Sequence, residues 1–366
     1  MVQKAVLIGV NKTPEGREKT VDSLEELALL SETAGATNVS MILKTVKKIN
    51  PAYYLPKGML EDIKGSILND GADLAIIDIN LSPAQERNMS EYIGVDVIDR
   101  TRLILDIFAT HARTAESKYQ VELAMLNYIL PRLKGIGTML SRTGAGIGTR
   151  GPGETKLETD RRKVRQRIAY IKDKLKLAER TRMLHRSSRK KHGLSTAALV
   201  GYTNSGKTTL LYALTGKGED GENKLFATLG TKMASIYDKF SKRKVIISDT
   251  VGFIRNLPPF LMESFKATLE ETANSDILIH VIDPLQKSAL QKFEEVIKIL
   301  VSIGAGEKKT VVVLNKIDLL TSVRVRFLKT KLEWLTGDDV IPVSAKTGDN
   351  IGMLKEKIFN DVLNIK

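Results

Sequence analysis

The first hundred residues alternate between two kinds of hydrophobic pattern. Continuous or alternating apolar runs predict β-strands at 4–10, 38–46, 73–79 and 95–98. Apolar residues recur at helical spacing over 21–35, 57–69 and 83–93. Strands that alternate with helices predict an α/β domain with a mainly parallel sheet over residues 1–98.

The middle of the chain, residues 99–192, carries two long helical patterns. The first runs from about Arg100 to Tyr128 as one helix, and the second runs from Lys156 to Arg189. A linker is predicted at 185–193. The second helix has a narrow apolar seam made of Leu157, Val164, Ile168, Ile171, Leu175 and Ala178. A narrow seam needs one partner helix, so we expect an antiparallel hairpin with the glycine-rich stretch 135–153 as its tip loop.

Residues 193–366 again alternate strands with helices and predict a doubly wound, mainly parallel sheet. The strand-like runs are 196–200, 232–237, 244–248, 276–282, 309–315 and 339–343. The first of them ends in a glycine-rich loop that is followed by an amphipathic helix, which is the arrangement that binds nucleotide phosphates. A chance glycine turn is the alternative interpretation of this loop alone. The loop residues are Gly201, Tyr202, Thr203, Asn204, Ser205, Gly206, Lys207 and Thr208.

Within that loop, Gly201 and Gly206 permit tight turns that aim backbone N–H groups at a β-phosphate. Lys207 supplies positive charge for the β- and γ-phosphates, and the Thr208 hydroxyl is placed to ligate Mg²⁺. The end of the 244–248 strand adds a second element of the site. Its residues are Asp249, Thr250, Val251 and Gly252, of which Asp249 can hold Mg²⁺ through water and Gly252 can donate its N–H to the γ-phosphate.

Two further strand ends predict a guanine site. The first carries Asn315, Lys316, Ile317 and Asp318, and the second carries Ser344, Ala345 and Lys346. The Asp318 carboxylate can accept both N–H groups of a guanine edge, whereas adenine lacks that pair of donors. The 344–346 segment would cover the base. Because these patterns follow one another in order at strand ends, the chain is predicted to bind GTP and GDP with Mg²⁺.

Charge is concentrated in one region of the chain. Residues 142–192 contain 17 Lys/Arg against 5 Asp/Glu, a net charge of +12 out of +14 for the whole chain. This imbalance indicates a polyanionic partner such as nucleic acid, and a solvated helix face is the alternative. The candidate RNA-binding residues are Arg142, Arg150, Lys156, Arg161, Arg162, Lys163 and Arg165. The glycines around Arg142 and Arg150 suit a loop pressed against phosphates, and a disordered connector is the alternative.

Composition excludes several classes of protein. The chain has no cysteine, which excludes disulfides and thiolate metal sites. It has no apolar run of about 18 residues, and its N-terminus is too strand-like for a signal peptide. We therefore expect a cytoplasmic protein without a membrane span.

The motifs resemble those of the HflX family, a group within the translation-factor class of P-loop GTPases. The resemblance runs from about residue 5 to the end and is carried by 151–162, 226–229 and 249–254, with weaker matches at 81–85 and 99–100. It implies a GTPase that binds the large ribosomal subunit and splits stalled ribosomes, with the hairpin tip reaching ribosomal RNA. We also expect the protein to be a monomer away from the ribosome.

The resemblance assigns a switch I segment made of Phe226, Ala227, Thr228, Leu229 and Gly230. Thr228 would complete the Mg²⁺ shell when GTP is bound, and Lys207, Thr228 and Gly252 are the predicted catalytic residues. Relatives that require K⁺ place its ligand where this chain has Asn204, and the alternative is that Asn204 serves as a turn former. The chain departs from the family pattern at Gly230, where Asp is usual, and at 55–59, where a Gly-Lys-Gly-Lys run is usual.

Catalysis is expected to depend on positioning and charge stabilisation during attack of water on the γ-phosphate. Phe253 occupies the position at which Ras-like enzymes have a water-orienting Gln, so we expect slow intrinsic hydrolysis that rises on ribosomes. The alternative interpretation is that Phe253 is simply a core residue, and both can hold. Three functions remain open: a ribosome-splitting GTPase, a GTP-dependent assembly factor for the large subunit, and a non-enzymatic RNA-binding module with structural GTP. The presence of Lys207, Thr208 and Asp249 argues against the third.

Overall fold

The structure is a computed structural model. It describes residues 3–13, 16–133, 152–216, 225–226, 230, 232–239, 242–255, 258, 260–261, 266–286 and 288–364. The chain divides into two compact units. One contains residues 1–110, 118–176 and 258–261, and the other contains 111–117, 177–257 and 262–366.

The first unit is built around a four-stranded parallel sheet of order β2-β1-β3-β4. Its strands are β1 (Lys4–Asn11), β2 (Thr37–Thr45), β3 (Leu74–Ile77) and β4 (Asp96–Asp99), and the intervening helices are α1 (Arg17–Thr33), α2 (Lys57–Asp70) and α3 (Pro83–Ile93). Every strand and helix predicted for this part is present. The start of α3 explains why its bounds were predictable: Ser82 and Gln85 form a reciprocal capping box, and Pro83 occupies the first turn.

A buried charge cluster lies at the carboxyl ends of these strands. Arg100 is fully buried and forms ion pairs with Glu26 of α1 and with Asp78, which follows β3. Burial raises the pKa of Asp78 above its usual value, although the Arg100 guanidinium opposes that shift. Because three charges are withdrawn from water together, each depends on the others for compensation.

The predicted helix from Arg100 to Tyr128 is wrong as a single element. The structure has α4 (Arg100–His111) and α5 (Ala115–Arg132) instead. The break follows from side-chain capping at the start of α5: the Thr114 N–H donates to the Ser117 hydroxyl at 3.1 Å, and the Ser117 N–H donates to the Thr114 hydroxyl at 3.0 Å. These bonds satisfy N-terminal donors that a continuous helix would have bonded to the preceding turn.

The second long helix is present as α6 (Pro152–Lys191). It passes through most of the predicted linker at 185–193, so that prediction is wrong up to Lys191. Ion pairs of α6 account for the extension, since Arg186 and Arg189 both pair with Glu271. Two more ion pairs join α6 to α5, Arg167 with Glu122 and Arg182 with Glu116, in the order expected of antiparallel helices.

The predicted seam of α6 is its less exposed side. Ile171 is buried, and the other seam residues whose side chains are described are half-buried: Val164, Ile168, Leu175 and Ala178. Beyond the seam, Leu177, Met183 and Leu184 are exposed. Most of the predicted tip loop at 135–153, including Arg142 and Arg150, lies outside the described residues, as does the side chain of Lys156.

The second unit contains a six-stranded sheet of order β10-β9-β8-β5-β7-β6, parallel except for β6. Its strands are β5 (Ser195–Gly201), β6 (Lys232–Asp238), β7 (Arg243–Asp249), β8 (Ile277–Ile282), β9 (Thr310–Leu314) and β10 (Val340–Pro342). The helices are α7 (Lys207–Thr215), α8 (Lys266–Asn274), α9 (Ala289–Ser302), α10 (Ser322–Thr336) and α11 (Ile351–Asn364). The doubly wound fold is confirmed, and the strand order reverses at β5, which is where ligands bind in such sheets.

Among the described residues, no helix has both the length and the apolar character needed to cross a bilayer.

Replacing Arg100 by Met should destabilise the first unit by about 3–5 kcal/mol, because Glu26 and Asp78 would stay buried without the guanidinium. Hydrogen–deuterium exchange of peptides covering β1 and β3 measures the loss. Arg102→Met is the matched control, since Arg102 makes a partly exposed i,i+4 pair with Asp106 and should cost less than about 1 kcal/mol. Equal exchange rates in the two variants would contradict the structural importance of the cluster.

Candidate functional site

The loop between β5 and α7 has a backbone that only certain residues can adopt. Gly201 has φ of 147°, and a Cβ there would lie 2.3 Å from the Val281 carbonyl oxygen. Gly206 has φ of 88°, and a Cβ there would lie 2.3 Å from the Asn315 amide nitrogen. Any other residue at either position would combine a strained backbone with a steric clash at its Cβ. The loop ends at the first turn of α7, where free N–H groups and the helix dipole favour an anion.

Lys207 is a buried cation at the start of α7. Its Nζ donates to the carbonyl oxygens of Gly201 at 3.1 Å and Tyr202 at 2.8 Å. Burial lowers the pKa of Lys207 to about 8, and the nearby Asp249 carboxylate partly opposes this shift. The ammonium is buried, and its hydrogen-bond acceptors are neutral carbonyl groups. A phosphate that bound there would therefore stabilise the positive charge.

Thr208 and Asp249 lie together beside that lysine. The Thr208 hydroxyl donates to Asp249 Oδ2 at 2.7 Å, and Asp249 is fully buried at the end of β7. The structure thus brings together two oxygen-bearing side chains that lie 41 residues apart in sequence. A hydroxyl and a carboxylate are hard oxygen donors of the kind that Mg²⁺ prefers.

The segment after Asp249 is hydrogen-bonded directly to the loop. The Phe253 N–H donates to the Gly201 carbonyl at 3.1 Å, and the Thr203 N–H donates to the Phe253 carbonyl at 2.8 Å. A Cβ on Gly252 would lie 2.8 Å from Thr203 Cα and 3.0 Å from Lys207 Nζ. Only glycine permits this approach, so Gly252 stands at the position that a group bound by Lys207 would reach.

The Phe253 ring is a core residue, which answers one question that the sequence left open. It is buried in a cluster with Ala198, Val200, Tyr202 and Leu278. Tyr202 also contacts this segment, which its position in the sequence did not indicate: its hydroxyl accepts the Arg255 N–H at 2.7 Å. The loop and the segment after β7 are therefore joined by backbone and side-chain bonds.

The end of β9 connects the phosphate loop to the last loop of the sheet. The buried Asn315 side chain donates from Nδ2 to the Ser205 carbonyl at 2.9 Å and accepts the Ala345 N–H through Oδ1 at 3.0 Å. Lys316, in the left-handed conformation at φ 60°, donates to the Asn204 carbonyl at 2.8 Å. One amide thereby positions two loops that are distant in sequence.

Asp283 was missed by sequence analysis. It is buried at the end of β8 and accepts from Lys316 Nζ at 2.7 Å and from the Leu285 N–H at 2.9 Å. Its position directly after a continuous apolar strand was the available signal, because the same rule found Asp249 and Asn315. Asp283 fixes the orientation of Lys316 across the edge of the sheet.

Asp318 remains accessible for a ligand. It is exposed in a short 3₁₀ turn at Ile317–Leu319, and its Oδ1 accepts from the buried Ser344 hydroxyl at 2.7 Å. Ala345 is half-buried, while Lys346 is exposed. The carboxylate is thus held from one side and open on the other, which leaves room for a planar group that presents paired N–H donors.

The remaining predicted site residues are only partly described. Thr250 is buried and its hydroxyl donates to the Leu199 carbonyl at 2.6 Å, while Val251 is half-buried. Phe226 is buried with φ of 57°, and Gly230 is half-buried. Ala227, Thr228 and Leu229 lie outside the described residues.

The basic residues of α6 fall into two groups. Arg182, Arg186 and Arg189 pair with carboxylates on α5 and α8, including Glu270 and Glu271. By contrast, Arg162, Lys163 and Arg165 are exposed, Arg161 is half-buried, and none of these four has an ion pair within the described part of the chain. The acidic partners were not predictable, because they lie far from the arginines in sequence: Glu116 is 66 residues from Arg182, and Glu271 is 82 residues from Arg189.

Three family models match the chain. One described as GTP-binding GTPase N-terminal matches residues 21–109, one described as GTP-binding GTPase Middle Region matches 111–189, and one described as 50S ribosome-binding GTPase matches 196–316.

Similar proteins are found among both sequences and structures. A GTPase HflX from Caldanaerobacter subterraneus subsp. tengcongensis is 49% identical over 318 residues, covering 87% of this chain and 73% of the relative. A GTPase HflX from Escherichia coli K12 is 41% identical over 357 residues, covering 96% and 81%. A crystal structure of SsGBP with GDP is 29% identical with a TM-score of 0.54, covering 100% and 99% of the two chains.

Raising the pH from 7 to 9 should weaken GDP binding, because Lys207 loses its proton with a pKa of about 8 and phosphate binding needs the charged form. The loss should approach about tenfold per pH unit above that pKa. The sign for stability is opposite: the folded state binds fewer protons than the unfolded state above about pH 8, so this group's contribution to stability rises with pH there.

Isothermal titration calorimetry can compare GDP with guanosine at each pH. Guanosine lacks phosphates, so the ratio of the two affinities cancels any titration of the base. A ratio that stayed constant between pH 7 and 9 would contradict the role of Lys207.

Proposed function

The chain belongs to the HflX family of GTPases, and on this premise we propose that it binds the large ribosomal subunit and separates stalled ribosomes into subunits. The observation that carries the proposal is the basic row at 161–165 of α6, in which Arg162, Lys163 and Arg165 are exposed and no residue forms an ion pair among the described residues. In a chain with a GTPase domain of the 50S ribosome-binding type, ribosomal RNA is the polyanion that such a row fits.

The guanine nucleotide is proposed to lie across the carboxyl ends of β5, β7, β9 and β10. Asp318 would accept the two N–H groups of the guanine edge, and the loop N–H groups at 204–208 would surround the β-phosphate. The support is geometric: Asn315 already joins the phosphate loop to the loop that would cover the base. We also propose that the chain has three domains, which are residues 1–98, 99–192 and 193–366.

Thr208 and Asp249 are the residues proposed to hold Mg²⁺, with Thr228 added in the GTP-bound state. Their present hydrogen bond of 2.7 Å supports this assignment, since a hydroxyl and a buried carboxylate are already adjacent. When bound, Mg²⁺ would neutralise negative charge that develops on the β- and γ-phosphate oxygens.

Hydrolysis then depends on this chain's own charges and N–H groups. Lys207 would stabilise the negative charge that grows on the transferring phosphoryl group, and the Gly252 N–H would orient it. The residue after Gly252 contributes a buried ring, which cannot orient water. Intrinsic turnover is therefore proposed to be slow and to rise when the ribosome supplies or reorders the missing group.

Asn204 is proposed as a K⁺ ligand near the phosphates, and its φ of 61° is also what a turn former would adopt. If K⁺ stabilises transition-state charge there, GTP turnover should be several-fold faster in KCl than in NaCl of equal ionic strength. Asn204→Gly keeps the left-handed backbone accessible while removing the side-chain oxygen, so it should abolish the difference. Equal rates in both salts for the unchanged protein would remove K⁺ from the mechanism.

Neutralising the basic row should weaken ribosome binding without affecting GTP affinity. The variant Arg161→Gln, Arg162→Gln, Arg165→Gln removes three charges, so the slope of log K against log salt should fall by about 2–3 units if all three contact phosphate. Cosedimentation with large subunits at increasing salt measures both quantities. Lys172→Gln, Lys174→Gln, Lys176→Gln is the matched control, since it removes the same charge from exposed positions on the same helix. Equal slopes for the two variants would show that α6 acts only through bulk charge.

Light scattering of 70S ribosomes tests the splitting activity itself. The protein with GTP or a non-hydrolysable analogue should reduce scattering, whereas the protein with GDP should not. Binding to large subunits without any dissociation of 70S ribosomes would overturn the splitting proposal and favour an assembly factor.

A further inference from the structure

The helix α10 has an apolar stripe on its exposed side. Trp334 is 83% exposed, Val323 is 77% exposed and Phe327 is 55% exposed. These residues are separated by four and seven positions, so they lie on one face over about three helical turns. The opposite side of α10 packs on the sheet, where Leu328 and Leu332 are buried against β9 and β10. We call the exposed stripe and its flanking charges the α10 face.

This exposure is unusual for the residue types involved. Trp334 is the single tryptophan of the chain, and large aromatic groups on a surface are characteristic of binding hot spots. The stripe is separate from the candidate nucleotide site, because Val323, Phe327 and Trp334 line a different cavity from the one that Asp318 lines. Neither the phosphate loop nor the basic row of α6 uses these side chains.

The α10 face is also basic. The helix carries four basic residues and one acidic residue. The single acid, Glu333, pairs with Lys329. Arg324, Arg326 and Lys331 are exposed beside the stripe, and the Arg324 guanidinium lies 5.6 Å from the centre of the Phe327 ring. An apolar stripe with a positive rim complements an apolar stripe with a negative rim.

We propose that the α10 face binds an acidic amphipathic helix of a partner protein. The spacing of the stripe selects this occupant. Phe327 and Trp334 are seven residues apart, which is about 10 Å along the helix axis and matches anchors at i and i+7 on a facing helix. Neighbouring bases along a nucleic-acid strand are about 3.4 Å apart, so this pair does not match successive stacked bases. A second copy would bring basic faces of a +14 chain together.

The proposal is independent of the ribosomal role. It adds a protein-binding surface to the GTPase domain. An experiment that rejected either role would leave the other standing.

The direct test is a titration with a designed peptide. The probe is a helical peptide with leucines at i, i+4, i+7 and i+11, glutamates on both flanks and alanines elsewhere. Because the chain has one tryptophan, the emission of the full-length protein reports on Trp334 alone, and binding should shift it to shorter wavelength. A scrambled peptide of the same composition should produce no shift.

Variants are compared by the anisotropy of a fluorescein-labelled peptide. Trp334→Ala and Phe327→Ala should each weaken binding at least tenfold. Met353→Ala is the matched control, because Met353 is an exposed apolar residue on α11. The affinity of this variant for the peptide should stay unchanged. The double variant Arg326→Glu, Lys331→Glu should no longer bind the glutamate peptide. It should instead bind a peptide in which every glutamate is replaced by lysine.

Two competing ligands complete the test: polyuridylate RNA and vesicles of phosphatidylserine with phosphatidylcholine. Stronger Trp334-dependent binding of either ligand than of the glutamate peptide would overturn the proposal, and so would peptide binding that Trp334→Ala leaves intact.

Discussion

The arrangement of the candidate site depends on the hydrogen bonds of the Asn315 side chain. Its amide is buried where β9 ends, and it joins the carbonyl of Ser205 to the N–H of Ala345. Gly206 approaches that amide so closely that no Cβ could fit between them. A buried amide that satisfies both its donor and its acceptor in this way fixes two loops at a defined separation. The glycine loop after β5 and the loop after β10 are consequently held in one arrangement.

The buried charges of the candidate site favour an anion close to Lys207. Lys207 is buried among carbonyl oxygens with a lowered pKa, and Asp249 is buried beside Thr208. His280, in the neighbouring strand, is also buried, and desolvation together with the Lys207 charge lowers its pKa to about 3. A neutral imidazole there adds no charge that competes with Lys207 and Asp249.

Charge serves two separate purposes in α6. The arginines nearest its C-terminal end pair with carboxylates of α5 and α8, and all of these groups lie in the second unit. The basic groups at 161–165 have no such partner among the described residues, and the proposed RNA contact depends on them. Net charge alone does not distinguish these groups, because a paired arginine and a free one contribute equally to the count.

Periodicity and local motifs in the sequence determined the strands, most of the helices and the residues at the strand ends, because parallel strands deliver their carboxyl ends to one edge of a sheet. The same logic predicted that Asp249, Asn315 and Asp318 belong to one site. Local capping by Thr114 and Ser117 divided the predicted helix, since two side-chain bonds there outweigh an apolar stripe that continues across the break. Only the tertiary structure decided which basic residues of α6 are neutralised, that Asp283 orients Lys316, and that the Phe253 ring is buried. Those outcomes depend on contacts between residues far apart in the chain, and no local pattern encodes such distances.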